Sequence, residues 1–218
     1  MIKEKGMGRT RAARFAAITV PAAAAAAGLG FAMLNGMVGA VLSSADGFTL
    51  DTGDITTSGI KMTASGTNVA GGDQAALYAE TTGSKATDHL NLTTASATIP
   101  LVNLPFHISI HSTLSTPISL GNVALSAKSL LTCGGGSLSN VVVGQAVSDA
   151  GFDNAPAATT DQNSFALTSS GAADSQVLKD VKAASYAITL GSLNVDNLGI
   201  SLESGAYDPA TDGPVCAP

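Results

Sequence analysis

Three histidines, two cysteines and many serines are the side chains in this sequence best suited to chemistry. His107 and His111 occur in Phe106-His107-Ile108-Ser109-Ile110-His111. In an extended strand successive side chains alternate between faces, so both imidazoles share a face with Ser109, while Phe106, Ile108 and Ile110 take the other. Two imidazoles on one face make half of a zinc site, and no third ligand is identifiable by spacing. His107 and His111 are therefore weak candidates, and they read equally well as solvent-facing residues of a strand. An ester hydrolase would need a nucleophile, a base and an oxyanion hole. His89, His107 and His111 are the imidazoles it could draw on. The strand-to-helix elbow Gly-x-Ser-x-Gly does not occur; Gly134-Gly135-Gly136-Ser137 lacks the trailing glycine. Ser58-Gly59-Ile60-Lys61 matches Ser-x-x-Lys without the companion motifs of that class. Asp51-Thr52-Gly53-Asp54 lacks the calcium-loop ligand spacing and reads as turn chemistry. No phosphate-binding loop or dinucleotide fingerprint is present. The residues thus assign no catalytic, cofactor or metal set.

Cys133 and Cys216 are the only cysteines. In an oxidising compartment two cysteines pair as one disulfide, and this one would tie down a C-terminus otherwise loose in pattern. Free thiols or a metal site are the alternatives, and the absence of neighbouring His or further Cys disfavours metal.

The compartment follows from the N-terminus. Lys3, Lys5, Arg9, Arg11 and Arg14 precede an apolar run from Phe15 to Leu42 that no charge interrupts. A basic flank, an apolar stretch and a small-residue site form a secretory signal. Cleavage is expected after Ala40, in Val38-Gly39-Ala40, or after Ala45. The run is also long enough to span a bilayer as a retained anchor, with the positive residues inside. Both readings place residues 46–218 outside the cytoplasm, secreted or held at the cell surface, with residues 1–45 as signal peptide or membrane anchor.

Beyond that segment five lysines face fifteen Asp and Glu, a net charge of −10. An acidic surface with scattered lysines is a poor phosphate binder, which excludes nucleic acid as a partner. Only 12% of residues are charged and 45% are hydrophobic, with no Trp, so the domain should fold around Val, Leu, Ile and Ala.

Period-two alternation points to strands. It marks Phe48/Leu50, Ile60/Met62/Ala64, Leu90/Leu92, Phe106/Ile108/Ile110 and Ile118/Leu120. It continues through Val123/Leu125/Ala127, Val141/Val143, Phe165/Leu167, Tyr186/Ile188/Leu190, and Leu193/Val195 on to Ile200/Leu202. Glycines such as Gly53, Gly66, Gly83, Gly121 and Gly191 fall between the runs, where turns need them. Ser175–Val181 reads as a short helix or equally as a strand, and Asp149–Asn163 as a long surface loop. The expected fold is all-β: a single domain with a curved antiparallel sheet, a sandwich or a β-roll, preceded by an N-terminal hydrophobic helix.

The two ends carry a resemblance. Gly8-Arg9-Thr10-Arg11-Ala12-Ala13-Arg14-Phe15-Ala16 and Ala184-Ser185-Tyr186-Ala187-Ile188-Thr189-Leu190-Gly191-Ser192-Leu193, followed by Cys216, resemble a family of exported actinobacterial proteins of unknown function. The resemblance covers about the first 45 and last 40 residues. It implies a β-rich body with a cysteine pair behind a basic, apolar N-terminus. Some members are labelled cholesterol esterase, which implies a secreted ester hydrolase as the alternative. The residues themselves favour a non-catalytic protein of the cell exterior, structural or adhesive, or one that binds a lipid-like apolar ligand. Its expected partners are that ligand, a cell-envelope component or a small integral membrane protein.

Overall fold

The computed structural model describes residues 40–69, 72–99, 104–153, 165–193, 197–209, 211–213 and 215–216. The expected N-terminal helix lies outside them, and no helix among the described residues is long and apolar enough to cross a membrane. The chain forms one antiparallel β-system with almost no helix. Its strands are β1 (Ala40–Thr52), β2 (Ile55–Thr57), β3 (Gly59–Val69), β4 (Gly72–Thr94), β5 (Ala97–Ile99) and β6 (Leu104–Thr132). After them come β7 (Gly136–Ser137), β8 (Val142–Ala146), the one-turn helix α1 (Val147–Ala150), β9 (Phe165–Ser170), β10 (Gln176–Leu178), β11 (Val181–Leu190) and β12 (Asn197–Ser204).

Two very long strands organise the sheet. β4 and β6 pair with each other along most of their length, from Leu77↔Ala127 to Thr93↔Ser109. The ribbon they form breaks register around Ser84↔Gly121. Gly83 and Gly121 have φ of +63° and +66° there, a backbone region that residues with a Cβ rarely enter. Beyond that break β6 pairs with β11, β11 with β1, and β1 with the last turn-ward part of β4. The hydrogen-bonded path β4–β6–β11–β1 therefore closes on itself, which leaves no edge within that circuit. Inside it lie Phe48 and Leu50 of β1, Leu90 and Leu92 of β4, Leu120 and Leu125 of β6, and Ile188 and Leu190 of β11, all buried. Each such side chain contributes about 1.5–3 kcal/mol by leaving water. Small aliphatics suffice because the circuit is narrow: Ala86, Ala127 and Ala183 are fully buried within it.

The sheet continues sideways from the first half of β4. There β3, β9 and β8 extend the sheet, and α1 packs Val147 and Ala150 on Ala166 and Phe152. The Phe152 ring meets Tyr78 of β4 at 5.8 Å. Tyr78 donates its hydroxyl to the buried carboxylate of Glu80 at 2.7 Å, and the Asp153 backbone N–H donates to the other Glu80 oxygen at 2.8 Å. Burial, and then the bond to Glu80, push the Tyr78 phenol well above its ordinary range, so it stays a donor.

Two expectations are resolved or corrected here. Ser175–Val181 is strand, not helix: Gln176 and its neighbours pair with β2 and β7, and the fully buried Gln176 amide bonds the backbone N–H and hydroxyl of Ser139. A helix that short could not offset the loss of those bonds. Tyr186 does not share the inward face with Ile188 and Leu190. A bulge places Ser185 opposite Ala127 and Ala187 opposite Ser126, so Tyr186 is the extra residue and the inward phase switches from odd to even numbers. The expected loop Asp149–Asn163 begins inside α1, and positions 154–163 lie outside the described residues.

The closed circuit still carries dependent edges. β12 pairs, among the described residues, only with β6, and Ile200 and Leu202 on it are 67% and 65% exposed beside Ile108. Elsewhere β8 pairs, among the described residues, only with β9, and Val142, Val143 and Phe165 are exposed.

Candidate functional site

The largest collection of polar groups lies on the outer face of the closed circuit. Because Leu50, Leu92 and Ile110 alternate with their neighbours, the register sends Asp51, Asn91 and His111 to the opposite face. Cross-strand pairing then lines up Lys182, Asp51, Asn91 and His111 in one row across β11, β1, β4 and β6. The next row holds Thr49, Thr93 and Ser109.

The chain after β12 crosses this face as a strap. The Ser96 N–H donates to the Tyr207 carbonyl at 2.9 Å, and the Tyr207 N–H donates back to the Ser96 hydroxyl. The Tyr207 hydroxyl bonds that of Thr49, and its ring packs 5.3 Å from His107. Asp212 accepts the Asp208 N–H at 2.9 Å, which folds the strap into a tight turn. Cys216 then closes the expected disulfide with Cys133, at a Cα–Cα distance of 5.1 Å. Between strap and sheet is a cleft of about 290 Å³ lined by Thr49, Asp51, Asn91, Thr93, His111, Lys182, Tyr207, Asp212 and Val215.

His107 and His111 are brought together, as their spacing predicts, but on a residue the sequence did not single out. Glu203 of β12 stands opposite His107 and approaches His107 Nε2 at 3.3 Å and His111 Nε2 at 3.8 Å. Ser109, expected beside them, is buried against Glu203 rather than open to solvent. Ile108, on the supposed apolar side, is 38% exposed because the sheet runs past the core there toward β12. His89 forms a separate pair with Asp51, Nε2 to Oδ1 at 3.2 Å, and Asp51 also receives Lys182 at 3.7 Å. These are imidazole–carboxylate pairs made through Nε2, whereas the carboxylate of a hydrolytic triad holds Nδ1 and leaves Nε2 as the base. Among the described residues no three ligating side chains converge on a metal position.

Ser58 and Lys61 also separate in role. The Ser58 hydroxyl donates to the Thr82 carbonyl of β4, and the Lys61 ammonium donates to the Gly151 carbonyl just after α1. Ser137 is exposed in the two-residue strand β7.

Hydrogen bonds from Ser109 and then Ser201, helped by His107, hold the Glu203 carboxyl below the usual carboxylate range. A group so shifted stabilises the fold above the ordinary carboxylate range, and that stabilisation is lost as pH falls through its folded-state value. Urea titrations of wild type and Glu203→Gln should therefore differ at about pH 6 and converge toward about pH 3. A difference independent of pH would show that the carboxylate charge is not what fastens β12.

The cavity lined by Leu50, Ile60, Leu125, Val181 and Ile188 measures about 50 Å³. Ligand sites for small molecules run to about 300–1,000 Å³.

Fold and site together define a disulfide-tied antiparallel β-domain, closed around a small aliphatic core, with a polar cleft beneath its C-terminal strap. No protein family, curated protein or solved structure matches the chain.

Proposed function

We propose that this protein is an exported, non-catalytic structural component of the cell exterior that associates with copies of itself through β12. The observation that carries the reading is the exposed strand edge with Ile200 and Leu202 standing in solvent. Proteins that must stay apart blunt such edges with lysine, proline or unmatched charge. Asn197–Ser204 contains no lysine and no proline, and its one charge, Glu203, is already engaged by His107 and His111. A two-fold antiparallel pairing of β12 with β12 of a second copy meets no charge repulsion and sets the same apolar side chains against one another.

Export is supported by the basic and apolar N-terminus and by the disulfide, which persists in oxidising compartments. Cleavage after Ala40 is favoured over Ala45, since Val41–Ser43 pair through their backbones with Ala187–Thr189. A lipid-carrying role draws no support from an interior of about 50 Å³.

Sedimentation velocity over a range of concentrations tests the association. Wild type should sediment faster as concentration rises, and the Ile200→Lys/Leu202→Lys double variant should remain monomeric. A wild-type monomer at all concentrations would overturn self-association. Hydrolysis of acyl esters that disappears on His107→Ala or His89→Ala would overturn the non-catalytic reading.

A further inference from the structure

We infer that the cleft beneath the C-terminal strap is a binding site for an uncharged, hydroxyl-rich ligand, a saccharide unit. The inference goes beyond self-association and does not depend on it, since the cleft and the β12 edge are built from different side chains.

Asp51 is engaged by both His89 and Lys182, at 3.2 and 3.7 Å. Lys182 also lies 3.8 Å from Asp180. Among the described residues Lys182 is the one lysine of the cleft, shared between Asp51 and Asp180, and no Arg lines the space. A ligand carboxylate or phosphate would have to compete for that ammonium and would face Asp51 and Asp212 across a short distance. A ligand cation would meet Lys182 but also Asp51 and Asp212. Negative charge on the ligand is therefore disfavoured, and a cation is the competitor that the test must exclude.

What the cleft does present is a dense mixture of donors and acceptors. Asn91 supplies both an amide N–H₂ and a carbonyl, Thr93 a hydroxyl, His111 a ring nitrogen, and Asp51 and Asp212 carboxylate oxygens with lone pairs beyond those already used. A sugar hydroxyl both donates and accepts, so neighbouring hydroxyls can bridge a carboxylate on one side and an amide on the other. The Tyr207 ring and Val215 give the same space an apolar wall, which suits the C–H face of a pyranose. The volume, about 290 Å³, is at the lower end of small-molecule sites and fits one or two sugar units rather than a long chain.

The walls are also fixed in advance. Four strands of a closed circuit hold the floor, and the disulfide and the Tyr207 bonds to Ser96 and Thr49 hold the roof. A site whose walls do not have to be ordered on binding loses less entropy when it is filled.

The test is a two-dimensional amide NMR titration of the disulfide-intact domain at millimolar ligand. The probes are uncharged hexoses, N-acetylhexosamines and their short oligomers, with a uronic acid as the anionic and methylamine as the cationic control. The expected result is saturable shifts at Asn91, His111, Lys182 and Asp212 with at least one neutral sugar. Asn91→Ala should weaken that binding at least tenfold while the rest of the spectrum is unchanged. Should Asn91→Ala disturb the fold, Thr93→Val in the floor replaces it, with the same tenfold expectation. Three results would overturn the assignment: no neutral sugar shifting the cleft amides, shifts confined to β12 or β8, or tighter binding of methylamine or the uronic acid.

Discussion

Replacing Cys133 and Cys216 together by serine is expected to lower the unfolding free energy by about 4–5 kcal/mol. The bridge spans 83 residues of sequence, and in the chain-entropy description the unfolded chain regains the freedom of that whole loop. The loss is concentrated in its structural consequences. With Cys216 released, the strap is held chiefly by the paired Ser96 and Tyr207 backbones and the Tyr207–Thr49 bond. These bonds are partly exposed and individually contribute about 0.5–1.5 kcal/mol each. Urea denaturation of the oxidised wild type and the double serine variant measures the difference directly. The His107 and Tyr207 resonances should also lose their mutual ring-current shifts, because the 5.3 Å stacking depends on the strap being in place. A difference below about 1 kcal/mol would mean that the unfolded chain is already compact around this loop.

The second large effect is expected at Leu190. Its side chain is 2% exposed and sits where β11 pairs with β1 on one side and β6 on the other. Leu190→Ala removes three carbons from a close-packed core of leucine, isoleucine and phenylalanine side chains. The circuit is closed by hydrogen bonds on every side, so the backbone cannot collapse. A cost of about 3–5 kcal/mol is expected, toward the upper part of the range for such truncations. Thermal and urea unfolding of the single variant check it. By contrast, Leu202→Ala on the exposed edge should change monomer stability by less than about 0.5 kcal/mol.

The contrast between these two leucines also shows what the residue pattern could and could not reveal. Both sit in strands with clean alternation, and sequence alone assigns each to an apolar face. Alternation reports the face; it does not report whether another layer covers that face. Leu190 faces the inside of the circuit, while Leu202 stands on a strand that runs beyond it. The strand positions themselves were legible because Val, Leu and Ile alternate with Ser and Thr over most of the chain. Tyr186 breaks the reading because a bulge adds one residue and reverses the phase, and no local composition marks it. The disulfide was legible because two cysteines allow one pairing.

The polar cleft was only partly legible. His107 and His111 could be placed on one face from their spacing. Glu203, which gathers them, lies some ninety positions away, and Asp51, Asn91 and Lys182 come from three further strands. Their alignment is a consequence of register, which depends on the long-range closure of β4, β6, β11 and β1 rather than on any local motif. The strap is similar: Tyr207-Asp208-Pro209 reads as loose chain, yet Pro209 is buried and Tyr207 is anchored at both its backbone and its hydroxyl.

Intact-mass spectrometry of the protein recovered from its own host's medium and envelope tests the proposed role most directly. The expected species begins at Val41, is lighter than the reduced chain by two hydrogens, and carries no lipid adduct. Recovery of the uncleaved chain from the cytoplasm, with both cysteines reduced, would contradict the role at the cell exterior.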